Sequence, residues 1–400
     1  MGPFKKKELI GLDIGTSSLK LVQLKKSAKG YELVKAGLKT LPYGAISEGK
    51  ISDKQTVIAS IKQLMREQKV STKNVATSVS GRSVIVKRIK LPLMSEEELM
   101  ESIFFEAEQY IPFDINDVNL DFQIMPNARP KTEGEAEDPQ AMNGGCEKGQ
   151  ISNLSPEAED PQAMDVLLVA VKKERIQDIV SIITRAGLNP SVIDIDVFAL
   201  ENQYEINNTR ETDSYVLLLD IGADTMNMNI LGEGGTVFTR DASLGGYNYL
   251  KILQDSLCLD FAQAERLMRG EGVEAQDPLA TGTPLAGVSM DKILSLRESF
   301  YEEIFSEIQR SFDYFHATAD NAQKNGVVPQ ITKILLSGGT SKSDGIDRAL
   351  AQRFELEVER ANPFKKIQIN SNQFDANWLT SVAPMMAVSV GLALRRMDDR

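Results

Sequence analysis

Residues 9–16 read L-I-G-L-D-I-G-T, residues 217–225 read L-L-L-D-I-G-A-D-T, and residues 334–340 read I-L-L-S-G-G-T. Each is a short apolar run that suits a buried strand and ends in a glycine-bearing turn. Glycine lets successive backbone N–H groups point outward there, which makes a concavity for an anion such as phosphate. The first two runs also place an aspartate, Asp13 and Asp220, at the strand's end. A carboxylate in that place suits a hydrated divalent cation, because magnesium keeps several waters and is bound through one or two carboxylates together with phosphates. One strand-D-x-G match arises by chance. Two matches about two hundred residues apart, with S-G-G-T further on, predict a duplicated α/β fold closing on one nucleotide.

Composition excludes more than it identifies. The 400 residues suffice for two or more domains. A formal charge of −12 lacks the basic footprint that nucleic-acid binding needs. Cys146, Cys258 and the single His316 supply neither a disulfide framework nor a metal cluster. Lys5, Lys6 and Lys7 run straight into the first strand rather than into a separate apolar signal segment. Residues 377–394 carry no charge and are long enough to raise a membrane span. Asn377, Thr380, Ser381, Pro384 and Ser389 dilute them, and the Ala, Gly and Ser content suits close packing, so a buried core helix is expected.

The periodicity sets the organisation. Strand-like runs at 9–14, 19–24 and 31–40 precede a helix at 53–68, with Val57, Ile58, Ile61, Leu64 and Met65 on one face and Asp53 as its cap or an early first-turn anion. A strand at 75–80 closes a first domain, residues 1–82. Residues 83–189 are expected to form an inserted α+β unit. Within it lie strands at 83–91, 119–125 and 164–171, a helix from the capping box at Ser95 to near Pro112, and a helix at 174–186. Its stretch 127–163 is acidic, poor in aromatics, and carries E-A-E-D-P-Q-A-M at 135–142 and again at 157–164, so a mobile acidic loop is expected. Residues 190–212 return to the first domain, with a strand at 191–197. Residues 213–375 form a second domain with a helical part at about 247–330, interrupted by a Gly/Pro-rich stretch at 270–284. In it, Ile293, Leu296, Phe300, Ile304, Ile308, Phe312 and Phe315 make a core stripe.

Three stretches carry a family resemblance: G-L-D-I-G-T-S-S-L-K-L-V-Q-L at 11–24, F-F-E-A-E-Q-Y-I-P-F-D-I-N-D-V-N-L-D-F at 104–122, and V-F-T-R-D-A-S-L-G-G at 237–246. They resemble the actin, heat-shock chaperone and sugar-kinase superfamily, and within it the PilM family of type IV pilus assembly proteins. The resemblance implies a ribonuclease H-like duplicated ATPase fold with the α+β subdomain of PilM and FtsA inserted. It also implies a C-terminal helix, residues 376–400, that packs on the first domain, without the amphipathic membrane helix that follows in FtsA.

On that fold, the amides of Gly15, Thr16, Ser17 and Ser18 would face those of Gly222, Ala223 and Thr225 across the β- and γ-phosphates of ATP. Lys20 is the phosphate counter-charge, or else a solvated strand lysine. Asp13 and Asp220 would hold Mg2+ through water. Gly338, Gly339 and Thr340 allow close approach to adenosine, and Gly245 and Gly246 open the helix that faces the nucleotide. Glu265, in A-E-R, matches the superfamily's ribose-binding glutamate, or is a surface ion-pair member; Met268 stands where a lysine is usual. Asp224 is a departure, because a carboxylate about 6 Å from phosphate repels it by about 2–3 kcal/mol per charge, so it is expected to point away. Asp194 and Asp196 are the nearest acids for activating water, and Asp196 is the candidate catalytic base.

The function so implied is an ATP-binding actin-like cytoplasmic scaffold of the pilus machine, with slow or no turnover. The resemblance implies peripheral attachment at the inner membrane through partners and a role in twitching motility. It implies a groove between the first domain and the inserted subdomain for the cytoplasmic N-terminal peptide of PilN, with PilO, PilB, PilC and PilT as further neighbours. An extended peptide along a strand such as 83–91 is physically plausible. Two alternatives remain: a filament-forming, self-associating protein like FtsA, or a small-molecule kinase of the same superfold. The kinase would need a second substrate pocket with its own carboxylate base.

Overall fold

The computed structural model describes residues 9–47, 49–125, 163–209, 214–232, 234–268, 289–320 and 330–396. The acidic stretch 127–163, apart from Ala163, and the stretch 270–284 lie outside the described residues. Two compact units emerge: Met1–Val84 with Val171–Arg400, and Ile85–Ala170.

The larger unit contains one strand pattern twice. Strands β1 (Ile10–Ile14), β2 (Ser18–Ser27) and β3 (Gly30–Thr40) form an antiparallel meander. A small hairpin, β4 (Ile46–Ser47) and β5 (Lys50–Ile51), leads into α1 (Lys54–Glu67), and β6 (Asn74–Val79) lies parallel to β1. The chain continues through β7 (Val84–Pro92), α2 (Glu96–Ala107), β8 (Val118–Ile124) and β9 (Ala163–Lys172). Helix α3 (Lys173–Arg185), β10 (Asn189–Ile195), parallel to β6, and α4 (Asp196–Asn207) follow.

The second sheet starts again with an antiparallel meander, β11 (Tyr215–Ile221), β12 (Met226–Gly232) and β13 (Gly235–Ala242). After α5 (Gly246–Leu257), α6 (Phe261–Met268) and α7 (Met290–Asp320) comes β14 (Ile331–Ser337), parallel to β11. Helix α8 (Ile346–Phe354) then leads to β15 (Glu357–Arg360), parallel to β14. The sheet orders, β10-β6-β1-β2-β3-β16 and β13-β12-β11-β14-β15, are the same topology, with the short β16 (Ile367–Gln368) added beside β3.

Local chemistry explains the elements. Strand β11 buries both of its faces, Leu217, Leu219 and Ile221 in one core and Val216 and Leu218 in another, which is why it reads as a continuous apolar run rather than an alternating one. Asp53 caps α1 by accepting the Thr56 N–H at 3.0 Å. The expected stripe on α7 is buried from Ile293 to Phe315 in the core of the second half, against Leu219, Met228 and Leu336.

The C-terminal residues fold as α9 (Ala376–Val382), a 3-10 turn at Ala383–Met386 that contains Pro384, and α10 (Ala387–Leu394). The stretch Ala376–Leu394 has a mean hydropathy of 1.4, enough by length and composition to cross a membrane. It is packed as core instead: α10 is buried over seven residues and lies against α4, β1 and β2.

The smaller unit has the sheet order β7-β9-β8. Leu99, Ile103 and Ala107 of α2 bury against Ile89, Leu91, Met164, Val166 and Leu168. A capping box starts α2: Ser95 Oγ accepts the Glu98 N–H at 3.2 Å, and Glu98 accepts the Ser95 N–H at 2.8 Å. This unit is shorter than the insert expected at 83–189. Helix α3 packs beside α1 and β10 pairs with β6, so residues 171–189 belong with the first sheet.

Candidate functional site

The two Asp-x-Gly turns match in geometry as well as in sequence. Gly15 N–H donates to Ser18 C=O at 3.2 Å, and Gly222 N–H donates to Thr225 C=O at 2.9 Å. The aspartates occupy equivalent ladder positions, Asp13 opposite Lys20 on β2 and Asp220 opposite Asn227 on β12.

The third turn is tied to the second. Gly222 C=O accepts Gly246 N–H at 3.0 Å and Thr340 Oγ1 at 2.7 Å, and Ala223 C=O accepts Tyr247 N–H at 2.8 Å. Gly338 has φ +88°, and a Cβ there would collide with the Ile221 backbone. Its N–H donates to Pro384 C=O at 2.9 Å, which brings the C-terminal turn to the site.

These turns face one cavity of about 1250 Å³ inside the larger unit. Asp13, Gly15, Thr16, Ser17, Ser18 and Lys20 line it from the first half. Asp220, Gly222, Ala223, Thr225, Gly246, Glu265, Gly338, Gly339 and Thr340 line it from the second, and Asp196 from the start of α4. Gly245 does not line it. A Cβ on Gly245 would lie 2.5 Å from Ala223 C=O, so this glycine serves the close approach of two backbones.

Asp194, the other acid considered, is buried away from the cavity lining. It accepts the Ile195 N–H at 2.8 Å and faces Arg395 Nε at 3.0 Å without hydrogen-bond alignment. Asp224 does not point clear of the cavity: it lines this one and a neighbouring one of about 830 Å³.

The electrostatics are those of a site short of positive charge. Lys20 Nζ sits 3.0 Å from Asp13, so the lysine expected as a phosphate counter-charge is paired with the carboxylate opposite it. Burial nevertheless raises the Asp13 pKa, against the lowering effect of Lys20, and the charge of Asp196 adds to the rise. Burial pushes Asp220 up to about 6, although Ser337 Oγ donates to it at 2.7 Å. Burial also raises Asp241, which accepts from Asn227 at 2.7 Å and from Gly81 N–H at 2.6 Å. Among the described residues no group of three or more His, Cys, Asp or Glu side chains forms a metal cluster. Two buried carboxylates with raised pKa values, beside glycine turns, fit a hydrated cation bound together with phosphate oxygens.

Several site residues carried no motif. Tyr43 reaches from the first half to Tyr247 and Phe261 of the second, with ring centroids 5.0 and 4.3 Å apart, and all three line the cavity. Arg175 also lines it; Lys173 and Arg175 in the first turn of α3 run against the helix dipole, a signal that could have marked them.

A pH dependence follows from Asp220. With a folded pKa of about 6 against about 3.9 unfolded, the native state holds the extra proton between those values. Stability therefore falls as pH rises through that window, and the loss is complete above it. Asp220→Asn is expected to raise the ligand-free Tm at pH 7.5 by about 3 °C, from about 2–3 kcal/mol of relieved burial. It should also flatten the slope between about pH 4 and 6. A thermal melt series across that range checks both, and unchanged Tm and slope would contradict a buried ionised Asp220.

A duplicated ribonuclease H-like sheet with paired Asp-x-Gly turns facing one cavity defines the actin-like class. The chain belongs to the family described as type IV pilus assembly protein PilM, whose model matches residues 11–140 and 150–397. It is similar to the solved PilM-PilN type IV pilus biogenesis complex, 26% identical, covering 98% of this chain and 99% of that one, with a TM-score of 0.76. The cell division protein FtsA of Pseudomonas aeruginosa is 22% identical over 384 residues, 90% of this chain and 84% of FtsA. MreB5 of Spiroplasma citri bound to AMPPNP, 12% identical over 97% of this chain and 95% of that one at a TM-score of 0.50, shares the fold.

Proposed function

We propose that this chain is an ATP-binding scaffold of the type IV pilus machine that takes the cytoplasmic N-terminal segment of a PilN-type protein and is held at the inner membrane by it. The observation that carries the nucleotide half is the pair of matching turns, Gly15–Ser18 and Gly222–Thr225, facing one cavity beside Asp13 and Asp220. Their amides would hold the phosphates, the two aspartates would hold Mg2+ through water, and Gly338–Thr340 with Glu265 would hold adenosine. Bound Mg2+ would neutralise phosphate charge. Asp196, at the first turn of α4, is the acid available to position water, and slow turnover at most is expected.

The partner half is supported by the likeness to the PilM-PilN complex along nearly the whole chain. Among the described residues of the smaller unit β7 is an edge strand, the kind of element to which an extended peptide adds by main-chain hydrogen bonds.

If the scaffold works through an ATP-bound state, peptide and ATP must tighten each other by the same factor, because linkage is reciprocal. Calorimetry of a PilN N-terminal peptide with and without saturating Mg-ATP is expected to give about a tenfold difference or more. Lys20→Ala leaves the Asp13 charge uncompensated beside the phosphates, and is expected to weaken ATP by about tenfold or more and, at subsaturating ATP, to weaken the peptide as well. Equal peptide affinity in both nucleotide states would sink the coupling.

A further inference from the structure

Arg175 is the third residue of α3, and its Nε and Nη1 are buried with no hydrogen-bond partner among the described residues. It lines the cavity of the paired turns. A guanidinium does not discharge at any physiological pH, so its donors stay charged and unsatisfied.

The neighbouring carboxylates do not satisfy it. Asp178, three residues further along α3, is 2.5 Å from Lys54 Nζ. Asp196 is near enough for its charge to act on Arg175, and the same Asp196 charge acts on Asp13 and Asp220. Arg175 thus shares the cavity lining with Asp13, Asp196 and Asp220, the carboxylates beside which the metal and the outermost phosphate would lie. The helix dipole at the first turn of α3 opposes a cation there, so local structure does not account for this arginine. A guanidinium with two buried free donors suits phosphate oxygens, which accept charge-assisted bonds.

We propose that Arg175 binds the terminal phosphate and is the residue by which this protein tells a nucleoside triphosphate from the diphosphate. The proposal rests on the nucleotide reading above. Lys20 is paired with Asp13, whereas Arg175 Nε and Nη1 have no hydrogen-bond partner among the described residues, so Arg175 is a cation free to respond when the terminal phosphate is present or gone.

The test is calorimetry on the full chain with AMP-PNP and with ADP, both with Mg2+, for wild type, Arg175→Gln and Arg175→Lys. Arg175→Gln is expected to weaken AMP-PNP by about tenfold to a hundredfold, the range for lost charge-assisted bonds. ADP should stay within about threefold, which also reports that the variant is folded. Arg175→Lys keeps the charge but loses the fork and should fall between the two. If Arg175→Gln does not fold, the lysine variant decides: an unchanged AMP-PNP to ADP ratio overturns the proposal. Equal losses for both nucleotides make Arg175 a structural residue and overturn it too. A wild type that binds neither nucleotide removes the nucleotide reading, and this proposal with it.

Discussion

Gly391→Val is expected to prevent folding outright or to lower stability by about 4 kcal/mol or more, most of the margin of an ordinary domain. A Cβ on Gly391 would collide with the carbonyl oxygen of Ala199 in α4 and lie 2.5 Å from its carbonyl carbon. On the β1 side, a Cβ on Gly11 would meet Ser389 C=O and lie 2.6 Å from Ala393 N. Helix α10 is therefore held between β1 and α4 by close backbone-to-backbone contacts, which cannot give way as the end of a flexible side chain would. Overpacking commonly costs about 1–3 kcal/mol because neighbours relax, and here the neighbours are main chain on both sides.

Gly234→Val is the control, since nothing lies within 4 Å of its Cβ position. Urea melts of the two variants check the contrast. The result also bears on Ala376–Leu394, the stretch apolar enough to span a membrane. Valine in place of glycine raises hydropathy, so a lipid-facing helix would tolerate Gly391→Val. A core helix would not.

How much of this was legible in the sequence depends on how local each cause is. The two D-I-G turns announce themselves because glycine, aspartate and the apolar strand are contiguous, and the structure places both at the ends of matching strands. Capping at Asp53 and Ser95 is equally local. The limits of the separate unit were not legible, because whether α3 packs on α1 or with β9 is a tertiary choice that its own amphipathic pattern does not encode. Nor was the fate of Lys20. Its pairing with Asp13 follows from the β1–β2 register, Asp13 opposite Lys20, which no residue type reveals on its own. Tyr43 and Arg175 reach the site from segments without a motif, Tyr43 meeting Tyr247 and Phe261 of the second half through contacts far apart in sequence.

Asp13→Ala is expected to lower Mg-ATP affinity by about a hundredfold or more, about 2.7 kcal/mol, measured by calorimetry in magnesium buffer. Two effects of opposite sign meet in this variant. Losing the carboxylate removes an anchor for the hydrated cation, which weakens the metal complex. It also removes a buried negative charge beside the phosphates and frees Lys20, now 3.0 Å from Asp13, to face them. The second effect strengthens binding of the metal-free nucleotide. The two separate when the titration is repeated in EDTA. Wild type should lose affinity when the metal is removed, whereas Asp13→Ala should bind metal-free ATP as well as wild type does, or better, so that its dependence on Mg2+ nearly vanishes. A variant that keeps both wild-type affinity and wild-type Mg2+ dependence would show that Asp13 holds no metal. One that binds more weakly in both buffers by the same factor would instead make the Asp13–Lys20 pair a structural tie between β1 and β2.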